Sequence, residues 1–119
     1  PYELFASVLK NSVIVPDTND TDPLVWASIC TSRYQHTAPC ILIPGSRFDI
    51  HGTRHGRGMG WYDRFLAGVP SSWLRIGITN ITQLSSMALV RQTWDEPMDW
   101  VIAQDDSSWR VCETHARHF

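Results

Sequence analysis

Three glycines at alternate positions, Gly56, Gly58 and Gly60, run directly into Trp61-Tyr62-Asp63-Arg64-Phe65-Leu66. Alternating glycine frees the backbone for positive φ and for close approach to a ligand, at an entropic cost that a plain connector has no reason to carry. The residues behind it read as a helix, with Trp61, Phe65 and Leu66 on one side and Asp63 in the first turn. A glycine-rich turn entering a helix presents unpaired N–H groups and the positive end of the helix dipole, a combination that suits phosphate. Arg54 and Arg57 bracket the turn and supply candidates for charge-assisted bonds to phosphoryl oxygens. Asp63 stands where a Mg²⁺ ion bridging those phosphates needs a hard oxygen ligand. The same letters also describe a surface loop whose aspartate merely compensates the dipole. Neither standard nucleotide fingerprint is present. No Gly-Lys-Ser/Thr follows, and Trp61 takes the third glycine position of the dinucleotide pattern.

A chain of 119 residues, 43% hydrophobic and 18% charged, is bounded to one globular domain with a modest core, and residues 1–119 are read as a single unit. A net charge of −2 gives no electrostatic footprint for nucleic acid or for an anionic membrane. No apolar run reaches the length of a membrane span and no signal peptide is visible, so the expected compartment is the cytoplasm, or the mitochondrial matrix in a eukaryote. The six tryptophans are expected to pack a core. Cys30, Cys40 and Cys112 are odd in number and lack metal-type spacing, which reads as reduced, mostly buried thiols of an intracellular protein, with a single disulfide as the lesser alternative.

Along the chain, Leu4, Phe5, Val8 and Leu9 mark one helical face over Tyr2–Lys10, and Val13-Ile14-Val15 reads as a short strand. The run from Asp17 to Pro23 is a turn by composition, its aspartates a solvated loop rather than a cation site. Leu24–Ile29 reads as a half-buried strand and Thr31–Thr37 as a loop. Cys40-Ile41-Leu42-Ile43 reads as a strand buried on two faces, delivering Pro44-Gly45 at its carboxyl end, where ligands gather in open α/β sheets. His51 and His55 are four apart, but the intervening glycine argues against one helical face and hence against a metal pair. Gly68 and Pro70 stop the helix, Leu74–Thr79 is a strand and Gln83–Val90 a short helix. Asp99–Ile102 and Trp109–Cys112 flank Asp105–Ser108 as a terminal hairpin, and Glu113–Phe119 reads as a loose tail. Strands alternating with helices predict an α/β layered domain with a mainly parallel sheet.

The string Pro44-Gly45, Phe48-Asp49, Gly52, Arg54, Gly56-x-Gly-x-Gly60 and aromatic-Tyr62-Asp63-Arg64-Phe65-Leu66 resembles the signature of the 5-formyltetrahydrofolate cyclo-ligase (5,10-methenyltetrahydrofolate synthetase) family. Ile76-Gly77-Ile78, Gln83-Leu84 and Asp95-x-Pro97-Met98-Asp99 follow in that family's order, so the resemblance runs from Ile41 to Gln104. It implies a Rossmann-like three-layer α/β/α sandwich with its site over the strand ends, here without the N-terminal part of the family fold. It also implies ATP and Mg²⁺ as cofactors and a reduced folate as substrate. In that reaction the formyl oxygen of 5-formyltetrahydrofolate attacks the γ-phosphate. The phosphate ester then leaves as the ring of 5,10-methenyltetrahydrofolate closes, releasing ADP and phosphate.

Carried over by motif, Arg54, Gly56, Arg57, Gly58, Met59, Gly60, Trp61 and Tyr62 would wrap the triphosphate. Arg57 and Tyr62 would serve catalysis, Trp61 and Tyr62 would line the pteridine and phosphate region, and Asp63 and Asp99 would bind magnesium. The chain departs from the pattern in places. Met59 stands where lysine or glycine is common, and Ala103-Gln104 stands where the family has Thr-Glu. The stretch between Pro16 and Ile43 is short and lacks the Glu-Pro pair of the folate pocket, and the basic N-terminal helix for ATP is not found. A non-catalytic relative is therefore the competing reading: a structural or interaction subunit with a partner protein, or a plain nucleotide binder. A magnesium-dependent phosphatase or transferase is the third.

Overall fold

Asp22-Pro23 opens the first helix, α1 (Pro23–Arg33), of the computed structural model, which describes residues 14, 16, 18–56 and 60–117. The Asp22 Oδ1 accepts from Leu24 N at 2.9 Å and Val25 N at 3.1 Å, and proline at the first helical position costs no hydrogen bond. The strand expected over Leu24–Ile29 is thus a helix. Its Asp-Pro start signal outweighs the strand preference of Val25, Trp26 and Ile29. The expected helix over Tyr2–Lys10 lies outside the described residues, as do Val13 and Val15 of the expected strand.

The chain then lays down β1 (Cys40–Pro44), β2 (Arg47–Asp49) and β3 (Arg54–His55), followed by the second helix α2 (Trp61–Gly68). β4 (Leu74–Asn80) leads through a 3₁₀ turn at Ile81–Gln83 into β5 (Leu84–Ser85), and β6 (Trp100–Asp105) turns back into β7 (Ser108–Glu113). The larger sheet has the order β1-β4-β6-β7, with β1, β4 and β6 parallel and β7 antiparallel to β6. The register pairs Leu42 with Ile76 and Ile76 with Trp100. A smaller sheet, β3-β2-β5, carries the connections past the ends of the large one. Among the described residues this is a mixed α/β architecture with a mostly parallel sheet and two α-helices. Among the described residues β1 pairs with β4 alone, and of the strand expected to be buried on two faces only Ile43 is fully buried while Cys40 is exposed.

Ile43, Phe48, Trp61, Phe65, Leu66, Trp73, Met98 and Val101 make the core. Each such side chain contributes about 1.5–3 kcal/mol when fully buried. Only Trp61 and Trp73 of the six tryptophans are fully in it. The short helix expected over Gln83–Val90 is absent. Leu84 and Ser85 pair in parallel with Phe48 and Asp49 of β2, and Leu89 N donates to Asp49 Oδ2 at 2.8 Å. Those partners lie some forty residues back, beyond the reach of any local pattern.

The tail expected to be loose is tied down as far as Arg117. Thr114 is buried, its N–H donating to Asp99 O at 3.0 Å and its hydroxyl to Met98 O. Gly52 lies under the same junction with φ 90°, accepting from Met98 N at 2.8 Å. A Cβ at Gly52 would run into the Met98 carbonyl.

Candidate active site

A cleft of about 970 Å³ opens where β1 ends at Pro44-Gly45-Ser46 and runs beside β3 and across the start of α2. Its position follows from the sheet: parallel strands present their carboxyl ends, and the connections that leave them, on one side. Arg54 and Arg64 are the arginines among its described lining residues, and Arg54 is the one held from two sides. The Arg54 Nε donates to Pro44 O at 2.6 Å, and its guanidinium lies 5.0 Å over the Tyr62 ring. Burial pulls the Arg54 pKa down from its ordinary value, and the charges of Asp63, Tyr62 and Asp95 work against that fall. Gly56 makes room for this cation, since a Cβ there would stand 2.7 Å from Arg54 Nη2.

Gly60 caps α2 in the left-handed region at φ 68° with nothing near its missing Cβ, so glycine is needed there for conformation and not for space. Its carbonyl accepts the first helical bond, from Arg64 N at 3.0 Å. Ahead of Arg64 the helix end faces the cleft with Gly60, Trp61, Tyr62 and Asp63. Trp61 donates from its indole Nε1 to Thr21 O at 2.8 Å and stacks on Phe65 with ring centres 5.5 Å apart. It packs edge-on to Tyr62 at 5.1 Å. Trp61 and Tyr62 therefore form a wall. Behind it lies a second, apolar cavity of about 490 Å³ lined by Trp26, Tyr34, Leu42, Phe65 and Trp73.

Asp63 sits at the mouth of α2 with its Oδ1 accepting from Glu96 N at 3.0 Å. Burial raises its pKa above the usual carboxylate value; the Glu96 N–H and Arg54 pull it down, and the charges of Asp95 and Glu96 push it up. The carboxylate that shares the cleft with Asp63 is Asp95. Asp99, expected as the second magnesium ligand, is spent elsewhere. Arg117 grips it at 2.9 Å (Nε to Oδ1) and 2.7 Å (Nη2 to Oδ2), and Arg75 N donates to Oδ2 at 2.9 Å. A cation there would have to displace a guanidinium from a buried pair, and in this structure the Asp99 carboxylate serves as a clamp for Arg117.

Arg75 connects the two aspartates. Its side chain is 4% exposed; its Nη1 meets Glu96 Oε2 at 2.9 Å and its Nη2 donates to Leu66 O at 3.1 Å. That pairing fixes the residue whose N–H holds Asp63. Sequence reading passed over Arg75, Asp95 and Glu96. Asp95 was present in the Asp95-x-Pro97-Met98-Asp99 string, but two aspartates four apart carry no mark of which one faces a cleft.

Arg57, Gly58 and Met59 lie outside the described residues. His51 and His55 do not converge on an ion: His55 Nε2 donates to Val90 O at 2.8 Å. Among the described residues no three His, Cys, Asp or Glu side chains gather as a cation site. Their cysteines are free thiols, but only Cys30 is buried as expected: Cys40 is exposed at the start of β1 and Cys112 half-buried on β7. Among the described residues no helix is long and apolar enough to cross a membrane.

No curated protein matches the chain. Residues 27–104 match the 5-formyltetrahydrofolate cyclo-ligase family, a span that contains the cleft's Arg54, Gly56, Gly60, Asp63 and Asp95. The chain belongs to the 5-formyltetrahydrofolate cyclo-ligase family.

Proposed function

We propose that the chain carries the ATP- and Mg²⁺-dependent closure of 5-formyltetrahydrofolate to 5,10-methenyltetrahydrofolate, within the three-layer arrangement of its family. The observation that carries this reading is one cleft that joins a cation, a helix opening and two carboxylates: Arg54, Gly60 and the pair Asp63 and Asp95. Magnesium is ordinarily held by one or two carboxylates together with substrate phosphates, not by a cage of protein ligands, so two carboxylates lining one cleft fit it. The ion, when bound, neutralises charge on the phosphates and orients them.

The chain's own residues do the rest. Phosphoryl transfer asks for positioning and charge stabilisation more than for covalent help. Arg54 offers a guanidinium held in place from both sides, by Pro44 O and by the Tyr62 ring. The N–H groups at the start of α2 offer neutral donors whose direction is fixed by the helix. Burial holds the Asp63 carboxyl above the ordinary range, and a nearby cation favours its ionised form, so binding of the ion and loss of the proton are coupled. Arg57 is proposed to meet the charge that Met59 cannot.

The test is the absorbance of the methenyl product formed from 5-formyltetrahydrofolate, ATP and Mg²⁺. Product formation supports the enzyme. ATP·Mg²⁺ binding by titration calorimetry without product would leave a nucleotide-binding relative, and absence of both would remove the phosphate reading of the cleft.

A further inference from the structure

Trp94 is 68% exposed at the rim of the cleft, an unusual place for the largest apolar side chain in a protein whose other aromatic rings are mostly packed. The segment that carries it is pinned on both sides. Before Trp94, Leu89 N donates to Asp49 Oδ2 at 2.8 Å, and His55 holds Val90 O. Arg91 reaches Thr53 Oγ1 at 3.0 Å and His51 O at 2.9 Å. Across the turn, Gln92 N donates to Asp95 Oδ2 at 2.8 Å and Asp95 N to Gln92 O at 3.1 Å. After it, Glu96 N is held by Asp63. A connector between two strands needs none of this.

We propose that Trp94 is a stacking residue for a planar nitrogen heterocycle carried by the ligand of this cleft. The inference rests on the cleft being the nucleotide and folate site proposed above. Asp95 adjoins Trp94 in the chain and lines the cleft with Asp63 and Arg54, so the indole stands next to the proposed phosphate end and is placed to meet the part of a ligand that extends beyond it. An indole held at a polar rim offers a flat face to a ring at little entropic cost, because the turn is already ordered. Adenine and the pteridine share that chemistry. The phosphates themselves have no use for it.

Titration calorimetry of the wild-type chain, Trp94→Ala and Trp94→Phe separates the sources, with ATP·Mg²⁺, tripolyphosphate·Mg²⁺ and 5-formyltetrahydrofolate as probes. Trp94→Ala is expected to weaken one ring-bearing probe about tenfold, the size of a lost base–aromatic stack, and to leave tripolyphosphate unchanged. Trp94→Phe should restore most of the loss, and the probe affected identifies the ring. Equal binding of both ring-bearing probes to Trp94→Ala overturns the proposal. So does an equal loss for tripolyphosphate, which would mark a structural effect, and so does a wild-type chain that binds neither ring-bearing probe. Tripolyphosphate failing to bind the wild type while a ring-bearing probe binds would instead bring down the phosphate reading, and the stacking role would then be judged on the ring-bearing probe alone.

Discussion

Asp63 and Asp99 are the same residue type, both at the edge of an element, and they have opposite fates. Asp99 is closed: two contacts from Arg117 and one from Arg75 N leave its oxygens satisfied inside the protein. Asp63 is open: one backbone donor holds it, and burial leaves its carboxyl short of compensation. The difference teaches that a carboxylate becomes a functional candidate by what it lacks. A guanidinium in bidentate contact turns it into masonry, whereas a single N–H positions it and leaves its charge to be met by something that binds.

Breaking the closed side is expected to give the largest effect. Asp99→Ala would strand the Arg117 and Arg75 donors in a buried place and should lower stability by about 3–5 kcal/mol in urea unfolding. Gly52→Ala should follow at roughly 3 kcal/mol, because φ 90° strains any other residue and its Cβ meets the Met98 carbonyl. On the open side the effects move from stability to activity. Asp63→Asn should cut kcat/KM for methenyl formation about a hundredfold or more, about 2.7 kcal/mol, with little change in urea midpoint. A large loss of stability in that variant would erase the contrast between the two aspartates. Gly60→Ala should cost only about 1 kcal/mol, since strain is its sole penalty.

The smallest expected effect sharpens the comparison by pH. The Asp63 pKa is raised in the folded chain, so between the unfolded and the folded value the native state holds more protons than the unfolded one. Its contribution to stability is therefore present in its protonated form at low pH and is lost as pH rises through that window. Asp63→Asn should remove this downward slope, measured as the difference in unfolding free energy between the two chains across acidic pH.

How much of this could be read from the letters follows from how far each cause lies along the chain. The turn at Gly60, the helix behind it and β4 are written locally, in glycine spacing and apolar runs. So was Arg54 beside the glycines. The start of α1 was also local, yet Asp22-Pro23 was read as the end of a turn when it is a cap and a first helical residue. β5 was out of reach because Leu84 and Ser85 are fixed by Phe48 and Asp49. Which of Asp95 and Asp99 lines the cleft and which is held by an arginine was out of reach for the same reason. The arginine is Arg117, eighteen residues beyond Asp99, in a tail whose composition announces nothing. The tryptophans divide likewise: Trp61 belongs to a helical face, while the exposure of Trp94 depends on a loop tied to β2 and β3.

The close fit of Gly56 to Arg54 ties the worth of one position to the residue at the other. The atom that an alanine methyl would meet is the tip of a flexible side chain, so the fold can absorb the change by letting the guanidinium swing off Tyr62. What would be lost is the placement of a charge, and only in a chain that has that charge to place. The cost of changing Gly56 thus depends on the residue at 54. In an Arg54→Ala background, Gly56→Ala should be nearly silent for ATP affinity, while in the native background it should not. The glycine guards a placement and not the fold, and it loses its purpose once the arginine is gone.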